Sequence, residues 1–320
     1  MGTPGFAATL LDAILADGRY RVPAVFTQPD RPAGRGNRLL PPPVKELAIR
    51  RGIPVHQPKT LKDPEVQAAI AALSPDYLVV AAYGMILPKV VLDMPRLAPV
   101  NVHTSLLPDY RGSAPIQRAI MNGETETGVS IMKMDVGLDT GPVFATQRVD
   151  CARDTSGSLF LKLAAVSCPL LLRVLDDLWE GRAVAVPQAG EPGPGRGYAA
   201  KVRKEEGRVD FRQPAARVEA LIRGLTPDPG CHVELALEGR APLCLEVEEV
   251  ALDDATGEAG TARVGNKRVR IFCQDGSLLV RRLRPQGKKS MDAASFLNGL
   301  RLAKGECLTG RVVMPEEIAR

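Results

Sequence analysis

Apolar positions along this chain follow two different patterns. In the first half, short apolar runs alternate with stretches of helical period. Tyr77–Tyr83 reads Tyr-Leu-Val-Val-Ala-Ala-Tyr, bounded by Pro75 and Gly84, as expected of a strand buried on both faces. Ala24–Thr27, Ile53–His56, Val100–His103, Val129–Met134 and Val143–Val149 read as further strands. Helical period runs through Ala7–Leu15, Val44–Arg50, Pro64–Leu73, Ala114–Met121 and Leu159–Trp179. Gly52 suits the left-handed cap closing the second of these, and Asp63 followed by Pro64 suits the opening of the third. Thr155, Ser156 and Ser158 can cap the last. Strand–helix alternation with buried strands predicts an α/β, Rossmann-like, doubly wound parallel sheet.

Pro187–Gly197 is dominated by Pro and Gly and reads as a linker. Beyond it come an amphipathic helix near Pro214–Arg223 and short β-like runs at Val233–Leu237, Leu243–Val247, Val269–Phe272 and Leu278–Val280. These predict a small C-terminal β-barrel. The organisation expected is a domain over 1–184, a linker over 185–203 and a barrel over 204–320.

Composition narrows the class. Of the 320 residues, 45% are hydrophobic and 25% charged, which fits a globular protein. The longest apolar stretch, Leu159–Trp179, is interrupted by Lys162, Arg173, Asp176 and Asp177. No secretory leader is read at the N-terminus, and a cytoplasmic location is expected. The six cysteines form no C-x-x-C pair, so free thiols are expected and a zinc site is not. The net charge is +5, but its distribution matters more. Between Arg263 and Lys289 lie nine basic residues and one acidic residue, Asp275, while Arg31, Arg35, Arg38, Lys45, Arg50 and Arg51 form a second basic stretch. Such clusters bind phosphates or simply face solvent.

The chemistry concentrates at one strand end. Asn101-Val-His103-Thr-Ser105-Leu106-Leu107-Pro108 closes a predicted buried strand, and ligands of open α/β sheets gather beyond such ends. Strand alternation puts Asn101 and His103 on one face. An amide can donate to a developing oxyanion and an imidazole can handle a proton. Asp139, in the glycine-flanked Asp135-Val-Gly137-Leu-Asp139-Thr-Gly141, is a carboxylate able to fix a neighbouring histidine. No serine or cysteine sits in a recognised nucleophile motif, which leaves direct attack by an external amine.

Asn101-x-His103, Ser105-Leu-Leu-Pro108 and Gly137-Leu-Asp139-Thr-Gly141, taken together, resemble the 10-formyltetrahydrofolate-dependent formyltransferases. Further segments resemble the members whose acceptor is initiator methionyl-tRNA: Thr27–Gly36, Ala82-Tyr-Gly84, Ile86-Leu-Pro88, Tyr110-Arg-Gly112, Ala114–Arg118, Glu126–Val129, Tyr198–Lys201 and Lys204–Glu206. The resemblance covers nearly the whole chain and implies an OB-like barrel in the second half. It implies Asn101, His103 and Asp139 as the catalytic trio and Ser105, Leu106, Leu107 and Pro108 as the folate-binding segment. The co-substrate implied is 10-formyltetrahydrofolate, with no metal. The resemblance also implies that the loop holding Arg31, Arg35 and Arg38 meets the tRNA acceptor stem and that the state is a monomer.

One departure stands out. The family opens with a β-strand running into Gly-Thr-Pro, whereas here Met1 directly precedes Gly2-Thr3-Pro4. The expectation is a chain lacking its first, central strand and weakened by the loss. Alternatives are a formyltransferase acting on a nucleotide sugar, a 10-formyltetrahydrofolate hydrolase, and a non-catalytic RNA-binding protein. A nicotinamide dehydrogenase fits least, because no G-x-G-x-x-G follows a first strand.

Overall fold

A computed structural model describes residues 1–33, 38–303 and 305–313. They divide into two compact units: residues 1–115, 126–150 and 160–200 form one, and residues 116–125, 151–159 and 201–320 the other.

In chain order the elements of the first half are α1 (Gly5–Asp17), β1 (Val25–Phe26), β2 (Arg31–Ala33), β3 (Arg38–Leu40), α2 (Pro43–Arg50), β4 (Val55–His56), α3 (Pro64–Ala72), β5 (Tyr77–Val80), α4 (Lys89–Leu92), β6 (Ala98–His103), β7 (Arg111–Gly112), α5 (Pro115–Met121), β8 (Glu126–Lys133), β9 (Val143–Asp150) and α6 (Ser156–Trp179). The helix starts follow local chemistry. Asp63 accepts a hydrogen bond from the Glu65 backbone N–H and Pro64 takes the first helical position of α3. α1 ends at Gly18, which takes the left-handed conformation (φ 76°).

The principal strands of the first unit fall in two sheets, beside the antiparallel hairpin of β2 with β3 and the pairing of β7 with residues 198–199. β1 pairs with β4 in parallel, and β5-β6-β8-β9 form a four-stranded sheet. β5 and β6 are parallel, as expected, but β6–β8 and β8–β9 are antiparallel. Only residues 134–142 connect β8 to β9, too short for the crossover that parallel neighbours require. The six residues of β6 are all buried, as are six consecutive residues of β8.

Between β1 and β5 stand Met1 and Gly2. Gly2 N–H donates to Phe26 O (3.0 Å), Ala81 N–H donates to Met1 O (3.0 Å), and the Met1 ammonium donates to Val79 O (2.7 Å). A Cβ on Gly2 would lie 2.4 Å from the Ala7 Cβ and 2.8 Å from Ala81 O, so this junction admits only glycine. Beside it is an apolar cavity of about 170 Å³ lined by Leu10, Ile14, Val25, Ile70, Leu78 and Leu175 among others. Residues 1 and 2 thus bond to both β1 and the β5 edge.

α6 is long and apolar enough to cross a membrane by length and composition alone. It is a core helix instead: Leu163, Leu171 and Leu175 are at most 1% exposed.

After α6 come β10 (Tyr198–Ala199), a 3-10 turn (Lys204–Gly207), α7 (Ala215–Leu225), β11 (Cys231–Leu237), β12 (Leu243–Asp253), β13 (Thr261–Gly265), β14 (Arg268–Phe272), β15 (Ser277–Pro285), β16 (Met291–Asp292), α8 (Ala293–Leu300) and β17 (Cys307–Val312). Strands β12-β11-β17-β13-β14-β15 run in that order, and β12 pairs again with β15, closing a six-stranded antiparallel barrel. Closure depends on β12, whose 11 residues bend at a register shift around Glu249. The core holds Phe211, Val218, Ile222, Leu235, Val264 and Leu278, with Met121 from the end of α5.

Two motif fragments far apart in sequence meet in this second unit. The Arg118 guanidinium forms a two-pronged pair with the Glu206 carboxylate (2.5 and 3.0 Å), and Glu206 also accepts from the Arg203 backbone N–H at 2.8 Å. Those bonds hold the Glu206 carboxyl below its ordinary value.

Candidate active site

His103 is the last residue of β6, and its imidazole is 5% exposed. Its Nε2 lies 2.9 Å from Tyr110 O, a pure acceptor that requires the ring to carry hydrogen on Nε2. The lone pair of a neutral ring then sits on Nδ1, which faces Asp139 Oδ2 at 3.7 Å. At that distance the two groups face each other across a gap longer than a hydrogen bond. Asn101, two residues earlier on the same face, directs its Nδ2 at Asp139 Oδ1 over 3.4 Å. Three functional groups read from the sequence therefore converge, although Asp139 lies 38 residues beyond Asn101.

The Asp139 carboxylate is fixed by the Gly112 backbone N–H, which donates at 2.9 Å to Oδ2, the same oxygen that faces His103. Asp139 and Tyr110 both adopt left-handed backbone (φ 53° and 57°), a conformation uncommon outside glycine and concentrated at functional sites. The loop carrying Asp139 is shaped by its own polar groups. Asp135 Oδ1 accepts from the Gly137 N–H (3.0 Å) and the Thr140 hydroxyl (2.8 Å), an Asx turn. A Cβ on Gly141 would fall 1.9 Å from the Lys133 carbonyl oxygen.

Ser105, Leu106, Leu107 and Pro108 form a tight turn just beyond His103. The Ser105 hydroxyl donates to Asp109 O (2.6 Å). Ser130, on β8, donates to Ser105 O (2.7 Å) and accepts from the Leu107 N–H (3.1 Å). This serine is fully buried. It lies outside the residues read from the sequence, where its one signal is a hydroxyl between the apolar Val129 and Ile131. Leu106 lies over Gly128, where a Cβ would be 2.6 Å from its Cδ2.

Arg31 bonds Gln28, which in turn donates to Tyr83 O and Gly84 O. Lys45 reaches Asp30 (2.7 Å) and Gln57 (2.8 Å) behind the same hairpin, and these two partners hold the Asp30 carboxyl below its ordinary range. Arg35 lies outside the described residues, as does the side chain of Arg38. Among the described residues no group of three His, Cys, Asp or Glu side chains is placed to hold a metal ion.

An α/β unit with an amide, an imidazole and a carboxylate at a strand end, followed in the chain by a β-barrel, has the layout of a group-transfer enzyme that needs no protein nucleophile. The chain belongs to the formyl transferase family: the formyl transferase pattern matches residues 1–175, and that of the formyl transferase C-terminal domain matches residues 201–301. It is 46% identical to the methionyl-tRNA formyltransferase of Desulfovibrio desulfuricans, with 99% of this chain and 96% of that protein covered. To its counterpart in Trichlorobacter lovleyi it is also 46% identical, over 99% and 97%. Among solved structures, a sugar 3N-formyltransferase, WlaRD, shares the fold at a TM-score of 0.62 and 15% identity, covering 90% of this chain and 97% of that one. HypX from Aquifex aeolicus, solved with tetrahydrofolic acid, matches at a TM-score of 0.55 and 20% identity, covering 79% and 43%.

Proposed function

We propose that this enzyme transfers the formyl group of 10-formyltetrahydrofolate to the free amine of initiator methionyl-tRNA, with Asn101, His103 and Asp139 as its catalytic groups. The convergence of these three side chains at the carboxyl end of β6 carries the assignment of roles. The full-length likeness to methionyl-tRNA formyltransferases carries the choice of acceptor.

The folate supplies an activated formyl carbon bound to N10. The residues present fit such a group: Asn101 offers a donor for the formyl oxygen, and Ser105–Pro108 offers an apolar turn with Leu106 and Leu107 for the ring system. The tRNA amine attacks the formyl carbon, and charge develops on the formyl oxygen. The Asn101 amide meets that charge; the His103 ring, whose Nε2–H is given to Tyr110 O, adds positive charge beside it only once Nδ1 has taken a proton. One such donor is worth roughly 3–4 kcal/mol of barrier. The proton lost by the amine goes to the His103–Asp139 pair, where the Nδ1 lone pair and the carboxylate face each other. The same pair returns it to N10 as that nitrogen leaves, so no net proton is gained or lost.

Arg31, Arg35 and Arg38 are assigned to the acceptor stem, and the barrel's basic run to phosphates further along the tRNA. The working state is a monomer, and its place is the cytoplasm, where charged tRNA is met.

The test is formylation of charged initiator tRNA by the purified chain with 10-formyltetrahydrofolate. Turnover that falls roughly 100- to 1,000-fold in Asn101→Ala is the expected result. Turnover on an amino sugar nucleotide but not on charged tRNA, from folded protein, overturns the acceptor.

A further inference from the structure

Resting on that reading of Asp139, we propose that Gln188 is a positioning residue for the reaction. It acts as a latch from the segment after α6 onto the loop that carries the carboxylate.

The geometry is specific. Gln188 Nε2 donates to two carbonyls of the loop, Asp139 O at 2.7 Å and Gly141 O at 2.8 Å. Its Oε1 accepts twice from Arg111, from Nε at 3.0 Å and Nη2 at 2.6 Å. Arg111 is the first residue of β7, and the next residue, Gly112, supplies the N–H that binds the Asp139 carboxylate. One amide thus ties the backbone of Asp139 to the strand that holds its side chain. A two-residue bridge anchors the latch from behind, with Val143 and Val186 exchanging hydrogen bonds at 2.8 and 2.9 Å.

The loop needs such a clamp. Its apolar side chains do not hold it, since Val136 and Leu138 are 73% and 56% exposed. Asp139 is in the left-handed region, which persists only where surrounding bonds over-determine it. Only an amide meets the pattern of two acceptors on one side and a guanidinium on the other. A carboxylate would keep Arg111 but set an oxygen against two carbonyls, and alanine would release both sides. The segment 187–197, whose composition reads as a free tether, therefore contributes to the geometry of the reacting centre.

The experiment compares Gln188→Ala, Gln188→Glu, Asp139→Ala and the Gln188→Ala/Asp139→Ala pair. Each is followed by steady-state formylation and by hydrogen exchange of residues 136–141. A displaced catalytic group costs roughly 10- to 100-fold, so both Gln188 variants are expected to lose that much in kcat with KM for tRNA within about twofold. Exchange should speed up across 136–141 and stay unchanged in the barrel. In the Asp139→Ala background the Gln188 change should add nothing, because its action passes through Asp139. A merely structural residue would lower activity equally in both backgrounds. If Asp139→Ala is crippled while Gln188→Ala turns over within twofold of wild type, or leaves exchange of 136–141 unaltered, the latch is overturned. If Asp139→Ala itself turns over normally, the catalytic reading of Asp139 falls instead.

Discussion

At the scale of single residues, the site is governed by where a few hydrogen atoms must sit. Tyr110 O obliges His103 to carry hydrogen on Nε2, and that leaves Nδ1 to the Asp139 carboxylate. His103→Gln keeps a donor for Tyr110 O but removes the proton-holding pair. It should lower kcat by roughly 100- to 10,000-fold, as loss of general acid–base catalysis does, while folate binding, read by fluorescence titration, holds. Ser130 offers a second and separable test. Its hydroxyl satisfies the buried Ser105 carbonyl and the Leu107 N–H of the 105–108 turn. Ser130→Ala strands both, at about 1–3 kcal/mol. If residues 105–108 bind folate as proposed, KM for folate should rise with little change in KM for tRNA; an equal rise in both would speak against that role for the turn Ser130 supports.

Among elements, the loop between β8 and β9 and the pairing of α5 with the 3-10 turn invite the sharpest predictions. Gly137 and Gly141 both sit where a Cβ would be 1.9 Å from an oxygen, but the two oxygens differ. At Gly137 it is the Thr140 hydroxyl, a side-chain atom that can turn aside at the loss of its bond to Asp135; at Gly141 it is the Lys133 carbonyl, which is backbone of β8 and cannot. Gly141→Ala should therefore destabilise by about 2–4 kcal/mol and Gly137→Ala by about 1 kcal/mol or less. Urea unfolding followed by Trp179, the single tryptophan, at the end of α6, reports on the unit concerned. Arg118–Glu206 predicts a pH effect. The folded Glu206 carboxyl is held below its ordinary value, chiefly by the Arg118 hydrogen bonds. Its contribution is complete above the unfolded value of about 4.3 and is lost as pH falls through the folded value. Arg118→Ala should cost about 1–2 kcal/mol at neutral pH and should flatten the acid limb, read by hydrogen exchange of the barrel strands. The elements also show what sequence could reveal. The apolar run at 77–83, the strand-end Asn101 and His103, and the barrel were legible because each is written in local period or a local motif. The antiparallel return of β8 and β9 was not, since periodicity carries no strand direction. Gln188 and Ser130 were hidden for a related reason: a glutamine beside a proline and a serine in a strand gain meaning only from partners 47 and 25 residues away.

At the scale of the whole molecule, the proposed tRNA contact turns on which basic side chains are already paired within the protein. Of the basic residues from Arg263 to Lys289, Arg270 is matched by Asp253 at 3.0 Å, and Arg284 by Glu246 and Glu248 at 2.5 and 3.3 Å. Those charges are compensated within the barrel and stabilise β12 against β14 and β15. Lys267, Arg268, Lys288 and Lys289 are exposed, and inward Val269 separates Arg268 from Arg270, so strand alternation keeps these charges off the core. The two groups should behave differently toward tRNA. Each phosphate neutralised on a duplex adds about 0.9 to the slope of log affinity against log salt. Replacing Lys267, Arg268, Lys288 and Lys289 together by alanine should lower that slope by up to about 3–4 and weaken binding of charged and uncharged tRNA alike, with kcat at saturation unchanged. Arg270→Ala should leave the slope within about 0.5 and lower thermal stability instead. Filter binding across a salt series measures both. An unchanged slope in the fourfold variant would remove this face of the barrel from the tRNA contact, and the electrostatic attraction would then have to come from the basic stretch between Arg31 and Arg51.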